Sequence, residues 1–171
     1  KVSIIIPNRD HSDTLKTCID SILNKTTYKN IEIIIAENNS VENKTFDYYN
    51  NLKKIKSIKI INCDRKEFNY AYVNNYAAKR AGGSVFIFLN NDIELITPQW
   101  IERMLEHVQF KNIGAVGAKL YYPDESVQHA GVIVGVAGGA GHSHKYFSRT
   151  ATGYFMRLKI IQNFSAVTGA C

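Results

Sequence analysis

Cysteine is scarce in this chain. Only Cys18, Cys63 and Cys171 occur, an odd number at spacings unlike those of a metal site, which argues against both a disulfide framework and a zinc centre and favours a reducing compartment. Long hydrophobic runs are also missing. No apolar stretch approaches the roughly 20 residues of a membrane-spanning helix, and the opening residues are not expected to act as a secretory signal peptide. Gly, Pro and Ser never accumulate into a low-complexity linker, and there is no internal repeat. What remains is a 171-residue chain of ordinary apolar content, most simply one soluble domain. Its net charge of +6 comes from scattered lysines, apart from mixed clusters such as 64–66. Such a balance suits an anionic ligand or a membrane surface, or merely a solvated basic face. No nucleic-acid partner is expected. Lys1 stands directly before one apolar run and Cys171 closes another, so a piece of a longer protein is expected.

The apolar residues alternate between two periods. "VSIIIP" at 2–7 is a short unbroken run rich in Ile, the mark of a strand buried on both faces. A helix follows, with Ser12 as its expected cap and Leu15, Cys18, Ile19, Ile22 and Leu23 on one face. "IEIIIAENNS" at 31–40 repeats the run and ends in polar residues, and 40–54 reads as a helix with Phe46, Tyr49 and Leu52 inward. A strand at 57–63, a helix at 68–80 stopped by Gly82 and Gly83, a buried strand at 84–89 and a helix opened by Thr97 and Pro98 complete the series. Strand alternating with helix predicts an α/β chain with a mostly parallel sheet covered on both faces. After about residue 110 the pattern changes to shorter strands in "GAVGAKLYYP", "VQHAGVIVG" and "NFSAVTGA", with a mobile or ligand-ordered stretch at 135–149.

Three strand ends carry unusual polar groups: Pro7-Asn8-Arg9-Asp10, Glu37-Asn38-Asn39-Ser40 and Asn90-Asn91-Asp92. In an open parallel sheet ligands bind outside these carboxyl ends. With the first, second and fourth strands as neighbours, spacings of about 4.8 Å put Asn8, Glu37 and Asp92 on one rim roughly 10 Å long. A carboxylate such as Glu37 can accept hydrogen bonds from a base or ribose. A carboxylate at Asp92 beside a diphosphate calls for Mg²⁺ or Mn²⁺ between them. The same residue types also form turns after strands, and only their convergence on one rim favours a site.

The blocks "SIIIPNRDHSDTLKTCIDSIL", "IEIIIAENNS", "FNYAYVNNYAAKRAGGSVFIFLNNDIEL" and "VTGAC", in this order, resemble the family-two inverting glycosyltransferases of the GT-A fold, above all rhamnosyltransferase-like enzymes of bacterial surface polysaccharide. The resemblance implies a Rossmann-like nucleotide-diphospho-sugar transferase domain truncated at its C-terminus, 1–110 forming the nucleotide-binding half and 111–171 the start of the acceptor-side half. It implies a UDP- or dTDP-sugar donor, a glycan or glycolipid acceptor, and a cytoplasmic protein that the full-length chain could bring to the inner face of the membrane. Pro7 and Asn8 match the loop lining the nucleotide pocket, and Glu37 the acidic residue that contacts the base, with Asn39 and Ser40 completing that block. Asn74 and Asn75 match the segment near ribose and diphosphate, although Ala77 replaces its usual glycine. Asn90-Asn91-Asp92 matches the "DxD" metal motif with its first Asp replaced, leaving Asp92 as the metal ligand and Asn91 beside the nucleotide.

An inverting transfer also needs a general base, which the resemblance places beyond residue 171. Within the chain, Asp124 and Glu125 read as turn residues, and His129 is a weak candidate whose simpler reading is a histidine hydrogen-bonded within a sheet. His142 and His144 would share a face only if extended, and a lone H-x-H lacks the further ligands of a zinc site. Lys145 and Arg149 could meet phosphate or stay exposed, while Trp100 and Tyr121 belong to a core or an acceptor cleft. A sugar-nucleotide pyrophosphorylase would show glycines in the first loop, where "PNRDHSD" has none, and a dehydrogenase would show G-x-G-x-x-G. A nucleotide-sugar-binding module without catalysis stays open.

Overall fold

A computed structural model describes residues 1–171 apart from 64, 66 and 137. Asp64 and Lys66 of the mixed-charge cluster, and one residue of the 135–149 stretch, therefore lie outside the described residues. The chain divides into two compact units, one of Lys1–Glu102 with Gly169–Cys171, the other of Arg103–Thr168.

The first unit is built on strands β1 (Val2–Asn8), β2 (Ile31–Glu37), β3 (Ile58–Asn62) and β4 (Val85–Phe88), in the spatial order β3-β2-β1-β4. All neighbours are parallel, as the intervening helices α1 (Ser12–Lys25), α2 (Asn43–Leu52) and α3 (Tyr70–Ala78) require. Register fixes which side chains share a face. Ile4, Ile6 and Asn8 stand beside Ile33, Ile35 and Glu37, so these six residues point the same way. The opposite face carries Ile5, Ile34 and Ala36, which pack with Val73 and Ala77 of α3. The central strands β1 and β2 are buried almost throughout. Strand β4 is not, because it lies at the end of the strand order, and Phe86 is 43% exposed.

The helix starts differ from expectation in instructive ways. Ser12 is the first residue of α1 rather than its cap, and that cap position belongs to His11. Asp10 and His11 are both left-handed, with φ of 52° and 51°, which turns the chain sharply out of β1. Helix α2 is capped from outside its own segment: Asp10 Oδ1 accepts hydrogen bonds from the backbone N–H groups of Val41 and Glu42, at 2.8 and 2.9 Å. Its inward face is Thr45, Tyr49 and Leu52, and Phe46 turns out, 43% exposed. Helix α3 begins after Asn69, whose side chain accepts from the Tyr72 N–H at 2.8 Å. Thr97 and Pro98 precede α4 (Trp100–Val108) as a turn, and Trp100 is buried, with its indole donating to Thr26 at 3.0 Å.

In the second unit, β5 (Leu120–Tyr121) pairs with β6 (Val127–His129), and β7 (Val132–Val136) with β8 (Gly139–His142), both antiparallel. "NFSAVTGA" forms no strand and contributes one isolated bridge, Ala166 to Val132.

Candidate functional site

The rim of the first unit is assembled from the ends of β1, β2 and β4. Asn8 and Glu37 are register partners, and the β4 end joins them through a side-chain bond. Asn91 Nδ2 donates to Asn8 Oδ1 at 2.7 Å. Asn8 Nδ2 in turn donates to the Tyr49 hydroxyl at 2.8 Å, and that hydroxyl donates to Glu37 Oε2 at 2.5 Å. One unbroken relay thus ties three strand ends and α2 together. Glu37 also accepts from the Ser40 N–H at 2.5 Å and the Ser40 hydroxyl at 2.7 Å, and Ser40 Oγ accepts from the Asp10 N–H at 2.8 Å.

This relay changes what each residue can do. Glu37 is only 6% exposed, and its carboxylate is taken up by Ser40 and Tyr49. As folded it organises the rim from beneath. Burial, and next the Glu37 carboxylate, push the Tyr49 phenol well above its ordinary value, so Tyr49 stays a neutral donor. Asp10 is held below the usual carboxylate range, chiefly by the Glu42 N–H. The sequence offered no signal for Tyr49 beyond a place on an inward face.

Asn38 stood in the sequence only as one member of a polar strand end, without a role of its own. It continues the β2 ladder by donating its N–H to Asn8 O at 2.9 Å, and strand alternation turns its side chain to the α3 face, opposite Glu37. It is 1% exposed, and neither Nδ2 nor Oδ1 has a hydrogen-bond partner among the described residues. Asn74 of α3 is buried as well, its Nδ2 donating to Tyr70 O at 2.9 Å while its Oδ1 has no partner among the described residues. A buried amide left unpaired costs about 1–3 kcal/mol per group, a cost that a ligand presenting both a donor and an acceptor removes. Asn39 and Asn75 are exposed, Asn39 donating to Arg65 O at 2.5 Å from a left-handed backbone. Pro7 is half-buried in β1, paired with Ala36.

Asp92 lies on the same rim, one residue beyond Asn91. Its carboxylate is exposed and makes no hydrogen bond or ion pair among the described residues. Its charge, second to burial, helps push the Cys18 thiol up to about 12. Cys171 is pushed up to about 11 by burial, so neither thiol is a nucleophile at neutral pH. A hard oxygen donor of this kind fits Mg²⁺ or Mn²⁺. No group of three His, Cys, Asp or Glu able to hold a metal occurs among the described residues. The residues therefore fit a cation completed by water and ligand oxygens rather than one caged by protein alone.

In the second unit His129 is 2% exposed. The Gly131 N–H donates to its Nε2 at 3.2 Å and its Nδ1 meets His142 Nδ1 at 2.8 Å. Burial, then the neighbouring His142, lower its pKa, and with both nitrogens engaged it has no lone pair for an acceptor hydroxyl. His144 is left-handed and turns away to Ser143, so it does not share a face with His142. Asp124 accepts from the Ser126 N–H and Glu125 accepts from Arg149, both at 2.9 Å, as turn residues do. Lys119 and Arg149 both lie over the Tyr121 ring, at 5.3 and 5.1 Å from its centroid.

The family model described as Glycosyl transferase family 2 matches residues 3–163. Uncharacterized protein y4gI of Sinorhizobium fredii is 43% identical over 171 residues, 99% of this chain and 19% of its own length. The O-antigen biosynthesis protein RfbC of Myxococcus xanthus is 40% identical over 175 residues, 100% of this chain and 13% of its own length. The chain thus spans less than a fifth of each of these relatives. Among solved structures, the mannosyltransferase PcManGT of Pyrobaculum calidifontis, in complex with GDP-Man and Mn²⁺, superposes with a TM-score of 0.62. It is 15% identical, and the match covers 72% of this chain and 36% of that one. At that identity the likeness concerns the fold, a GT-A-type α/β architecture about a parallel sheet of four strands.

Proposed function

Since the chain belongs to glycosyl transferase family 2, we propose that its first unit binds a nucleoside-diphosphate sugar at the rim of the parallel sheet and presents it for transfer, with inversion, to a hydroxyl of a glycan or glycolipid. The observation that carries this reading is the relay from Asn91 through Asn8 and Tyr49 to Glu37, which holds three strand ends in one rim beside the uncompensated Asp92.

The roles follow from the partners each side chain already has. Asn38, buried with a free donor and a free acceptor, receives the nucleobase, whose edge offers the same pair in reverse. Glu37 positions that loop through Ser40 and Tyr49 instead of touching the base. Asn74 Oδ1 accepts a hydroxyl from the ribose side, with Asn75 exposed next to it. Asp92 would hold Mg²⁺ or Mn²⁺, which when bound offsets the charge of the departing diphosphate. The GDP-Man and Mn²⁺ in the mannosyltransferase of like fold and the O-antigen role in the name of the Myxococcus relative support this donor, cation and acceptor chemistry. His129, fully bonded in its own unit, is not assigned as the base.

Calorimetric titration with UDP, dTDP and GDP, each with and without Mn²⁺, tests the reading. Tighter binding with Mn²⁺ is expected, and Asp92→Ala should weaken it about tenfold or more, the scale of one lost charged contact, without changing the thermal midpoint. Equal affinities for Asp92→Ala and the parent would reduce Asp92 to a turn residue.

A further inference from the structure

The edge of the sheet opposite the rim carries a different chemistry. In a parallel sheet every strand starts, and every preceding helix ends, at one edge, and the registers of β1 to β4 show this directly. That foot gathers Lys1, Lys25, Lys29, Lys53, Lys54, Lys56, Lys59, Lys79 and Arg80, all exposed. The acids facing them from the elements packed there are Glu32, Glu94 and Glu102. Glu32 is buried and already paired with Lys1 at 3.0 Å and Lys59 at 2.9 Å. Glu94 holds Lys25 at 2.9 Å, and Glu102 accepts from Thr27 at 2.7 Å. The side chains of Lys53, Lys56 and Lys79 make no hydrogen bond or ion pair among the described residues. The foot therefore holds positive charge equal to the chain's whole formal excess of +6.

Helix macrodipoles favour cations at helix C-termini, which accounts for Lys25, Lys53, Lys54 and Lys79. They do not account for Lys1, Lys29, Lys56 and Lys59, which stand in turns or at strand starts. Between Lys1, Lys56 and Lys59 the surface sinks into an open basin of about 470 Å³, floored by Glu32 and walled by Ile31, Ile55 and Ser57. The cations are spread across three inter-strand spacings, about 14 Å, and the helix ends beyond them. Half-buried Tyr28 and Ile55 and exposed Ile96 stand among them.

We propose that this basic foot is a docking surface for an anionic lipid bilayer, with the lysines over the headgroups and Tyr28, Ile55 and Ile96 at the polar–apolar boundary. A broad edge of compact ammonium groups with scattered apolar side chains matches a planar, fluid anionic surface, where each nearby lysine contributes about 1 kcal/mol. Docked in this way, the rim stands roughly 20 Å from the headgroups, one seven-residue strand away.

The test is sedimentation of the purified chain with vesicles, read separately from any nucleotide titration. Phosphatidylglycerol vesicles should carry the chain down at about 50 mM salt and release it as salt rises, since exposed charges are screened beyond about 10 Å at 0.1 M. Phosphatidylcholine vesicles should not. Lys53→Glu with Lys54→Glu and Lys56→Glu should lower partitioning about a hundredfold, whereas reversing Arg9, Lys16 and Lys44, toward the rim ends of β1, α1 and α2, should leave most of it. Melting curves verify that both triple variants fold. Equal losses in the two variants, no binding to phosphatidylglycerol at low salt, or tighter capture of a DNA duplex than of vesicles would each overturn the proposal.

Discussion

Asn38 and Glu37 are adjacent in the chain and opposite in circumstance. Glu37 is buried with its carboxylate bonded to Ser40 and Tyr49, and Asn38 is buried with nothing bonded to its side-chain amide among the described residues. Burial of a polar group is tolerated only when it is paired, so an orphaned amide at a sheet rim costs stability, which a ligand that pairs with it would restore. Asn38→Ala removes that cost. The expected outcome is a protein at least as stable as the parent by thermal melting, with nucleotide affinity reduced roughly tenfold, the scale of one amide pair lost to a base. An unchanged affinity would place the base elsewhere. Glu37→Gln differs in kind, since an amide in the Glu37 position cannot accept from Ser40 and Tyr49 as a carboxylate does, and it loosens the loop before it touches any ligand.

At the scale of elements, the foot of the sheet is held as firmly as the rim. Glu32 accepts from Ser3 Oγ at 2.7 Å, from Lys59 at 2.9 Å and from the Gly82 N–H at 2.5 Å, and so joins β1, β2, β3 and the turn into β4. Gly83 closes that turn where a Cβ would fall 2.5 Å from Ser3 Oγ; any larger residue would push the turn off the strand. Burial, the largest influence on Glu32, raises its pKa, but Ser3, Lys59, Lys1 and the Gly82 N–H together outweigh it and hold the carboxyl at about 2. A carboxyl depressed on folding stabilises the native state above its unfolded value of about 4.5, and the benefit is lost as pH falls toward 2. Acid titration of the parent should therefore show stability falling between about pH 4.5 and 2, and Glu32→Gln should flatten that fall while lowering stability at pH 7 by a few kcal/mol. Parallel acid curves for the two proteins would refute this assignment.

For the molecule as a whole, donor binding and folding are linked, because a rim that exists only in the native state gives ligand affinity only to the native state. UDP with Mn²⁺ at a hundred times its dissociation constant should add about 2.7 kcal/mol, which for a chain of this length raises the thermal midpoint by roughly 5–10 °C. A nucleotide and cation that leave the midpoint unmoved would mean that the rim is not their site. Much of this architecture is legible in the order of residues. The unbroken Ile-rich runs at 2–7 and 31–37 imply buried central strands, the intervening amphipathic segments imply parallel pairing, and the polar groups at Asn8, Glu37 and Asp92 imply one rim, because period and connectivity are local properties of the chain. Partnership is not local. That Tyr49 takes up Glu37, that Asp10 caps α2 from another segment, that His129 meets His142, that Phe46 and Phe86 face outward and that Asn38 finds no partner among the described residues all depend on which groups the fold brings near one another. Which hydrogen bonds are satisfied is settled only when the helices close over the sheet, since the nearest donor or acceptor in space is seldom the nearest in sequence.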